Sequence, residues 1–310
     1  MIVRIGLALF VGIGLTLGGY QGARALEASV EGQVQQLQAA QVHERAAFRV
    51  GDLEQAVREG AAYLTDREVN LMKFKPRLRM TYDHHQVFRA VAWLPVVQQA
   101  DTDGFLAQVR RAMPDFTFRE LDVATGEVRP AGKALAYVPF LMVEPEHGNE
   151  AIVGLDLGNQ SNLADAMQLS YKIKDVGAAS ASVLPPDDGA SLLMLHYVHD
   201  PEGFVAGLVR VDDLLAHVMD GAPAGLVGRL VDHTAGSETL ATQEGFVDGA
   251  SVMSGSFALG GRRMVLELTA TDAYEPLGLQ LAEAAGFGGA GVTLVLLAMA
   301  LLAAPSSRDE

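Results

Sequence analysis

Two uncharged apolar runs bracket a long polar body. Between Arg4 and Arg24 lie nineteen residues without a charge, rich in Leu, Ile, Val and Gly, and a second run extends from Phe287 to Ala304, ended by Pro305. Each is long enough to cross a hydrocarbon layer of roughly 30 Å at about 1.5 Å per residue. The pattern therefore predicts transmembrane helices at 1–24 and 286–305, residues 25–285 on the far side, and a cytoplasmic tail at 306–310. Past the first run, Val30, Val34, Leu37 and Gln41 recur at helical spacing among Gln and Glu, which predicts a stalk-like or dimerising helix over 26–49. Gly51-Asp52 is expected to interrupt it before a helix over 52–64. A third piece, over 66–88, carries Lys73, Lys75, Arg77 and Arg79 around Pro76, a basic face suited to solvent or to acidic partners.

The body then alternates short strands and helices. Residues 101–113 read as a helix capped by Asp101, 116–121 as a strand, and Thr125-Gly126 as a turn. Strands are expected over 134–143 and 150–157, and a helix over 162–177 begins near Asn162. Residues 191–198 and 203–211 form a hairpin through Asp200-Pro201-Glu202-Gly203, and 212–219 a short helix. Strands over 226–232, 254–259 and 263–271 follow. The compositional break at Ala222-Pro223-Ala224-Gly225 divides a larger lobe (65–221), after stalk helices at 25–64, from a smaller one (222–285). Hairpins mixed with helices predict α+β with mainly antiparallel sheets.

Charge sharpens this picture. The formal net charge is −15, and all of it falls between the apolar runs. Such acidity argues against nucleic acid and against adhesion to anionic headgroups. With no cysteine there are no disulfides, thiolate nucleophiles or zinc–thiolate sites. Arg4 and the amino terminus favour a cytoplasmic N-terminus, although Arg24 weakens the bias. Ala23-Arg24-Ala25 reads alternatively as a signal-peptide cleavage site, and under either reading the body is exported.

Candidate chemistry is sparse. His84-His85 and His196 with His199 are the densest histidine groups, but residues i and i+3 of a strand point to opposite faces, a poor arrangement for joint metal ligation. Asp101-Thr102-Asp103-Gly104 has only part of a calcium loop. No nucleophile elbow, phosphate loop or dinucleotide fingerprint occurs. No cofactor is expected, and an extracytoplasmic enzyme is the minority reading.

Longer patterns carry more. Phe88-x-x-x-x-Trp93-Leu94-Pro95-Val96-Val97 resembles the aromatic and W-x-P-x-V element of the CHASE domain. Tyr137-x-Pro139-x-x-x-Val143-Glu144-Pro145 and Gly154-Leu155-Asp156-Leu157 resemble that family's next two strands, with a helix near Asp165-Ala166 as expected. The likeness covers roughly 65–220, and Gly260-Gly261-Arg262-Arg263 resembles a strand that follows the domain in relatives. An Arg usual after W-x-P-x-V is missing, because Gln98, Gln99, Ala100 and Asp101 stand there.

The resemblance implies an extracytoplasmic sensor with a long stalk helix and two PAS-like lobes, flanked by two transmembrane helices in the inner membrane. The distal lobe would bind a small molecule, as plant relatives bind cytokinins, and the membrane-proximal lobe would pass the change to the second span. It also implies that the strand at Tyr137 lines the pocket. Alternation would put Val138, Phe140, Met142 and Glu144 on one face, and Glu144 or Glu146 would accept a ligand N–H. The expected binding residues are therefore Tyr137, Phe140, Met142, Glu144 and Glu146. Trp93 is expected to pack between helix and sheet, and Asp156 to accept structural hydrogen bonds. Expected partners are the ligand, the lipid bilayer, a second copy of the chain and a separate membrane or cytoplasmic signalling protein. Relatives carry a kinase or cyclase after the second span, whereas six residues follow the apolar run that ends at Ala304 here. The alternatives are a stand-alone sensor, a truncated receptor, or a structural or binding subunit of a larger membrane complex.

Overall fold

The computed structural model describes residues 2–65, 71–122, 125–181, 184, 189–249, 253–274, 287–288 and 290–296. The chain divides into two compact units, Met1–Ala40 with Asp272–Glu310, and Gln41–Thr271.

In the first unit, residues 2–40 are helical, and Gly12 and Thr16 meet Thr293. The Thr16 Oγ1 donates to Gly12 O at 2.8 Å and lies 3.2 Å from the Thr293 hydroxyl, while a Cβ at Gly12 would come within 2.7 Å of Thr293. Tyr274 OH bonds Gln38 Oε1. Among the described residues no helix is long and apolar enough to cross a membrane. Much of the expected second span, and residues 275–286, lie outside the described residues.

The second unit is α+β, as expected, with antiparallel sheets. One helix, α1 (Ile2–Thr65), enters it with no break at Gly51-Asp52. A glycine costs a helix about 1 kcal/mol. Here Val50, Leu53, Val57 and Leu64 are fully buried beside it, each contributing roughly 1.5–3 kcal/mol of apolar burial. The buried face runs through Ala39, Val42, Ala46 and Val50, whereas Leu37 and Gln41 of the expected face are exposed.

Then follow α2 (Leu71–His84, continuing through Pro76), β1 (Ala90–Pro95), β2 (Val97–Gln98), a 3-10 turn (Gln99–Asp101), α3 (Thr102–Val109), β3 (Arg119–Leu121), β4 (Val128–Pro130), β5 (Ala136–Tyr137) and β6 (Met142–Glu144). A 3-10 turn (Glu150–Ile152), α4 (Ser161–Ile173), β7 (Val176–Ala181), β8 (Ser191–Val198), β9 (Gly203–Arg210) and α5 (Val211–Met219) complete the first lobe. The second lobe is β10 (Leu226–Asp232), β11 (Glu238–Thr242), β12 (Met253–Leu259) and β13 (Arg262–Ala270). Asp101 takes the cap position of α3 but makes no side-chain cap bond.

The main sheet has the order β6-β1-β9-β8-β7. Strands β8 and β9 are covered on both faces, so they read as continuous apolar runs. One face packs on Phe140, Ile152, Leu155, Leu157 and Leu163, which are completely buried. The other receives α1 and α2: Trp93 meets Phe74 edge-on at 6.1 Å, and a Cβ at Gly203 would come within 2.5 Å of the Trp93 ring. Trp93 therefore packs between helix and sheet. The tail of the expected helix over 162–177 is instead β7. Its small residues let α4 lie close, a Cβ at Gly177 reaching 2.2 Å from Ala166 O.

The smaller sheet has the order β11-β10-β13-β12, with β11 not anticipated. Its Gly260-Gly261 turn joins the two lobes. Ala178 N–H donates to Gly260 O at 2.8 Å, and Gly260 N–H donates to Glu54 of α1 at 2.6 Å.

Candidate ligand cleft

The expected strand over 134–143 is broken in two, and the break distributes the candidate residues. Tyr137 pairs in β5 with Val97, whereas Met142 and Glu144 pair in β6 with Trp93 and Val91. Between them Phe140 bonds away from the sheet, its N–H to Leu155 O at 3.0 Å and its carbonyl to Gly154 N–H at 2.8 Å. Side-chain alternation is therefore lost after Phe140. Phe140 enters the core together with Val143, while Met142 and Glu144 share a face with Trp93, toward α2.

Glu144 is 4 % exposed, with Lys75 Nζ 3.6 Å and Arg79 Nη1 3.8 Å away. Lys75 Nζ also lies 2.7 Å from Glu146, so one ammonium joins the two acids. That hydrogen bond to Glu146, ahead of the opposing cost of burial, raises the Lys75 pKa. Lys75 and Arg79 of α2 thus serve acidic partners.

Glu146 lines a cleft of about 460 Å³ between Met113–Thr117 with Arg119 and the loop carrying Glu146, Glu150 and Val153. Both walls are fixed. Phe116 and Phe118 form an aromatic group with Phe105, and Phe118 stacks on Tyr137 at 4.5 Å. The Tyr137 hydroxyl in turn donates to Gly132 O at 2.9 Å. The opposite loop is held by the buried Asn149, whose amide donates to Pro145 O at 3.0 Å and Arg89 O at 3.3 Å. Its Oδ1 accepts from Arg89 Nε at 3.1 Å.

Arg119 reaches from the first wall to the second. Its Nη2 donates to Ala151 O at 3.0 Å and to Val153 O. Burial lowers its pKa, yet a guanidinium keeps its charge. Gly154, at φ +84°, lets the two segments meet: a Cβ there would lie 2.4 Å from Thr117 O, and Arg119 N–H donates to Gly154 O at 2.8 Å. Glu150 accepts from Gly148 N–H at 2.9 Å, and backbone N–H groups hold its carboxyl below the ordinary range.

Asp156 accepts structural bonds as expected, from Val138 N–H at 2.6 Å and Gly158 N–H at 3.0 Å. Among the described residues its second oxygen is buried without a partner, and burial raises its pKa. The Gly154-Leu155-Asp156 motif therefore joins three segments beneath the cleft and lies outside its lining.

Of the candidate residues, Glu146 alone lines the cleft. Glu144 is linked to it through Lys75, Tyr137 supports one wall, and Phe140 and Met142 lie elsewhere in the packing. Arg119, Glu150 and Asn149 were not anticipated. The turn-rich Pro145–Asn149 stretch was the available signal, but one partner of Asn149, Arg89, stands 60 positions away. The cleft offers one guanidinium, several carboxylates and an apolar wall, a combination able to hold a small polar molecule with N–H donors.

A long helix carrying two successive antiparallel sheets defines the class: an α+β, two-lobed module built on a helical spine. The chain belongs to the CHASE-domain family, which matches residues 67–241, more than half its length. This membership supports an extracytoplasmic sensory domain.

Among solved structures, an extracellular ligand binding receptor from Desulfohalobium retbaense matches at 12% identity and TM-score 0.43, covering 74% of this chain and 39% of that one. The periplasmic sensory domain of the Campylobacter jejuni chemoreceptor Tlp1 matches at 12% and 0.43, over 82% and 98%. The ligand binding domain of the Pseudomonas aeruginosa amino acid chemoreceptor PctC, in complex with GABA, matches at 15% and 0.41, over 78% and 98%. This chain thus spans about two fifths of the first receptor, and similarity of this degree says nothing of ligand or activity. No curated protein matches.

Proposed function

We propose that this chain is a non-enzymatic, membrane-anchored sensor that binds a small molecule in the cleft beside Glu146 outside the cytoplasm. The observation that carries the reading is the cleft itself, in a CHASE-domain chain, with Glu146 and Glu150 on a loop pinned by Asn149 and Arg119 reaching from one wall to the other. Carboxylates favour a ligand group bearing N–H donors or a positive charge, and Arg119 favours an acceptor beside it. Lys75 ties Glu146 to Glu144 and α2, a route by which a ligand competing for Glu146 would disturb the helix pair.

In this reading the lobes are PAS-like, and the apolar segments at 1–24 and 286–305 anchor residues 25–285 in the periplasm. Phe10, Ile13, Leu15 and Leu17 are exposed in the first of these segments, as a lipid-facing helix requires. A second copy docks along α1, and the signal passes to a separate membrane or cytoplasmic protein.

The test is thermal unfolding of the detergent-extracted full-length chain against a panel of small amines, guanidinium compounds, adenine-type bases and dicarboxylates. A binder of the native state at about a hundred times its Kd adds about 2.7 kcal/mol. The expected outcome is stabilisation by a nitrogen-donor compound, lost in Glu146→Gln. Stabilisation by dicarboxylates alone would sink the assignment.

One observation favours a second reading, a non-sensing subunit of a larger membrane complex. The space beneath the main sheet is filled by Phe140, Ile152, Leu155 and Leu157, each fully buried. Stoichiometric co-purification of a membrane partner, with no response to any compound, would select that reading.

A further inference from the structure

Histidines line the contacts of α1 with the second lobe and with α5, away from the cleft. His43 of α1 lies against Gly255 of β12, where a Cβ would come within 2.3 Å of the ring. Its Nε2 is 3.0 Å from Leu266 O of β13. A carbonyl only accepts, so Nε2 carries the proton of the neutral ring and Nδ1, beside Gly255, takes the second one. Among the described residues no charged side chain acts on the ionisation of His43, and a proton there creates a charge without a counter-ion.

On α5, the His217 carbonyl and Asp220 O and Oδ2 all receive the Arg49 guanidinium of α1. The His217 imidazole is influenced by Arg49 and Asp52 from α1, Asp220 at the end of α5, and His85 from the turn after α2. His85 itself lies 3.4 Å from Asp52. Arg49 and His85 oppose a charge on His217, while Asp220 and Asp52 favour it.

We propose that this contact is a proton-operated latch: proton uptake by His43 and His217 on acidification loosens β12, β13 and α5 from α1, so the module responds to extracytoplasmic pH independently of any small molecule. Burial, the largest influence on both rings, lowers their pKa below the ordinary 6.5. The detached state then binds protons more readily than the docked one. The contact is strongest above pH 6.5 and weakens progressively as pH falls below it.

Hydrogen exchange of the full-length chain, corrected for intrinsic chemical exchange, tests this at about pH 7.5 and about pH 5.5. The expected result is a several-fold rise in exchange over 41–58, 211–219 and 253–270 at the lower pH. The rise should vanish in the His43→Gln/His217→Gln double variant, in which the introduced side-chain amide keeps a donor for Leu266 O. It should persist in His84→Gln, a histidine outside the contact. No rise in the unaltered chain, or a rise that survives the double substitution, overturns the proposal. Imidazole C2–H exchange on the unaltered chain decides independently of how the variants fold: midpoints for His43 and His217 below 6.5 support the latch, and midpoints at or above it refute the latch.

Discussion

Asn149→Ala tests whether the cleft loop is held from a distance. The side chain is buried and makes three bonds: amide to Pro145 O at 3.0 Å, amide to Arg89 O at 3.3 Å, and Oδ1 from Arg89 Nε at 3.1 Å. Neutral bonds contribute about 0.5–1.5 kcal/mol each and a bond from a guanidinium about 1.5–3 kcal/mol, so the loss should be about 2–4 kcal/mol, the longer amide contact counting least. For a body of this size each kcal/mol moves Tm by roughly 2–4 °C, which gives a fall of roughly 5–15 °C. The assay is thermal unfolding of the full-length chain by circular dichroism, paired with hydrogen exchange over 145–153. Protection in that peptide should drop further than in β8 or β9, because Glu146 and Glu150 lose their anchor while the sheet keeps its ladder. A Tm within about 1 °C of the parent, or unchanged protection over 145–153, would refute the anchoring role.

Three further expectations follow from the same geometry. Gly154→Ala forces a Cβ to 2.4 Å from Thr117 O at φ +84°; a cost of about 2–4 kcal/mol is expected, read as a fall in Tm together with raised exchange over 113–119. Lys75→Met removes the ammonium between Glu144 and Glu146; because Lys75 is half-exposed the loss should be only about 1–2 kcal/mol by thermal unfolding, and Glu146→Gln made in that background should add little. Asp156 has its folded pKa raised above 3.8 by burial, so its contribution to stability is greatest below 3.8 and declines as pH rises through the folded value. Asp156→Asn should abolish that decline in a Tm–pH series and keep the acceptor for Val138 and Gly158, whereas Asp156→Ala should destabilise at every pH.

Local pattern sufficed where local chemistry decided the structure. The hairpin of β8 and β9 was readable because two doubly buried strands must be apolar throughout and their turn carries Asp, Pro and Gly. The extents of β10 and α5 follow similarly from apolar runs between Gly- and Asp-rich stretches. Elsewhere tertiary contact decided. Gly51 stays helical because its neighbours are buried, and Val176–Ala181 becomes a strand whose Gly and Ala accommodate α4. The polar β11, with only Ala241 buried, carries no apolar alternation from which to read it. The segment from Tyr137 to Glu144 kept its motif but not its alternation, because Phe140 bonds to the 154–155 segment rather than to β1. This is why Glu146 could be named as a candidate while Arg119 and Asn149 could not: their roles depend on backbone carbonyls and side chains far along the chain, which no short motif encodes.

The most direct measurement is hydrogen exchange of the full-length chain with and without a nitrogen-donor compound that raises its Tm. The account predicts protection confined to 113–119 and 145–153, with a smaller change in α2 through Lys75, and no protection in Glu146→Gln. Protection centred on other segments, or a footprint that survives Glu146→Gln, would contradict a binding site at this cleft.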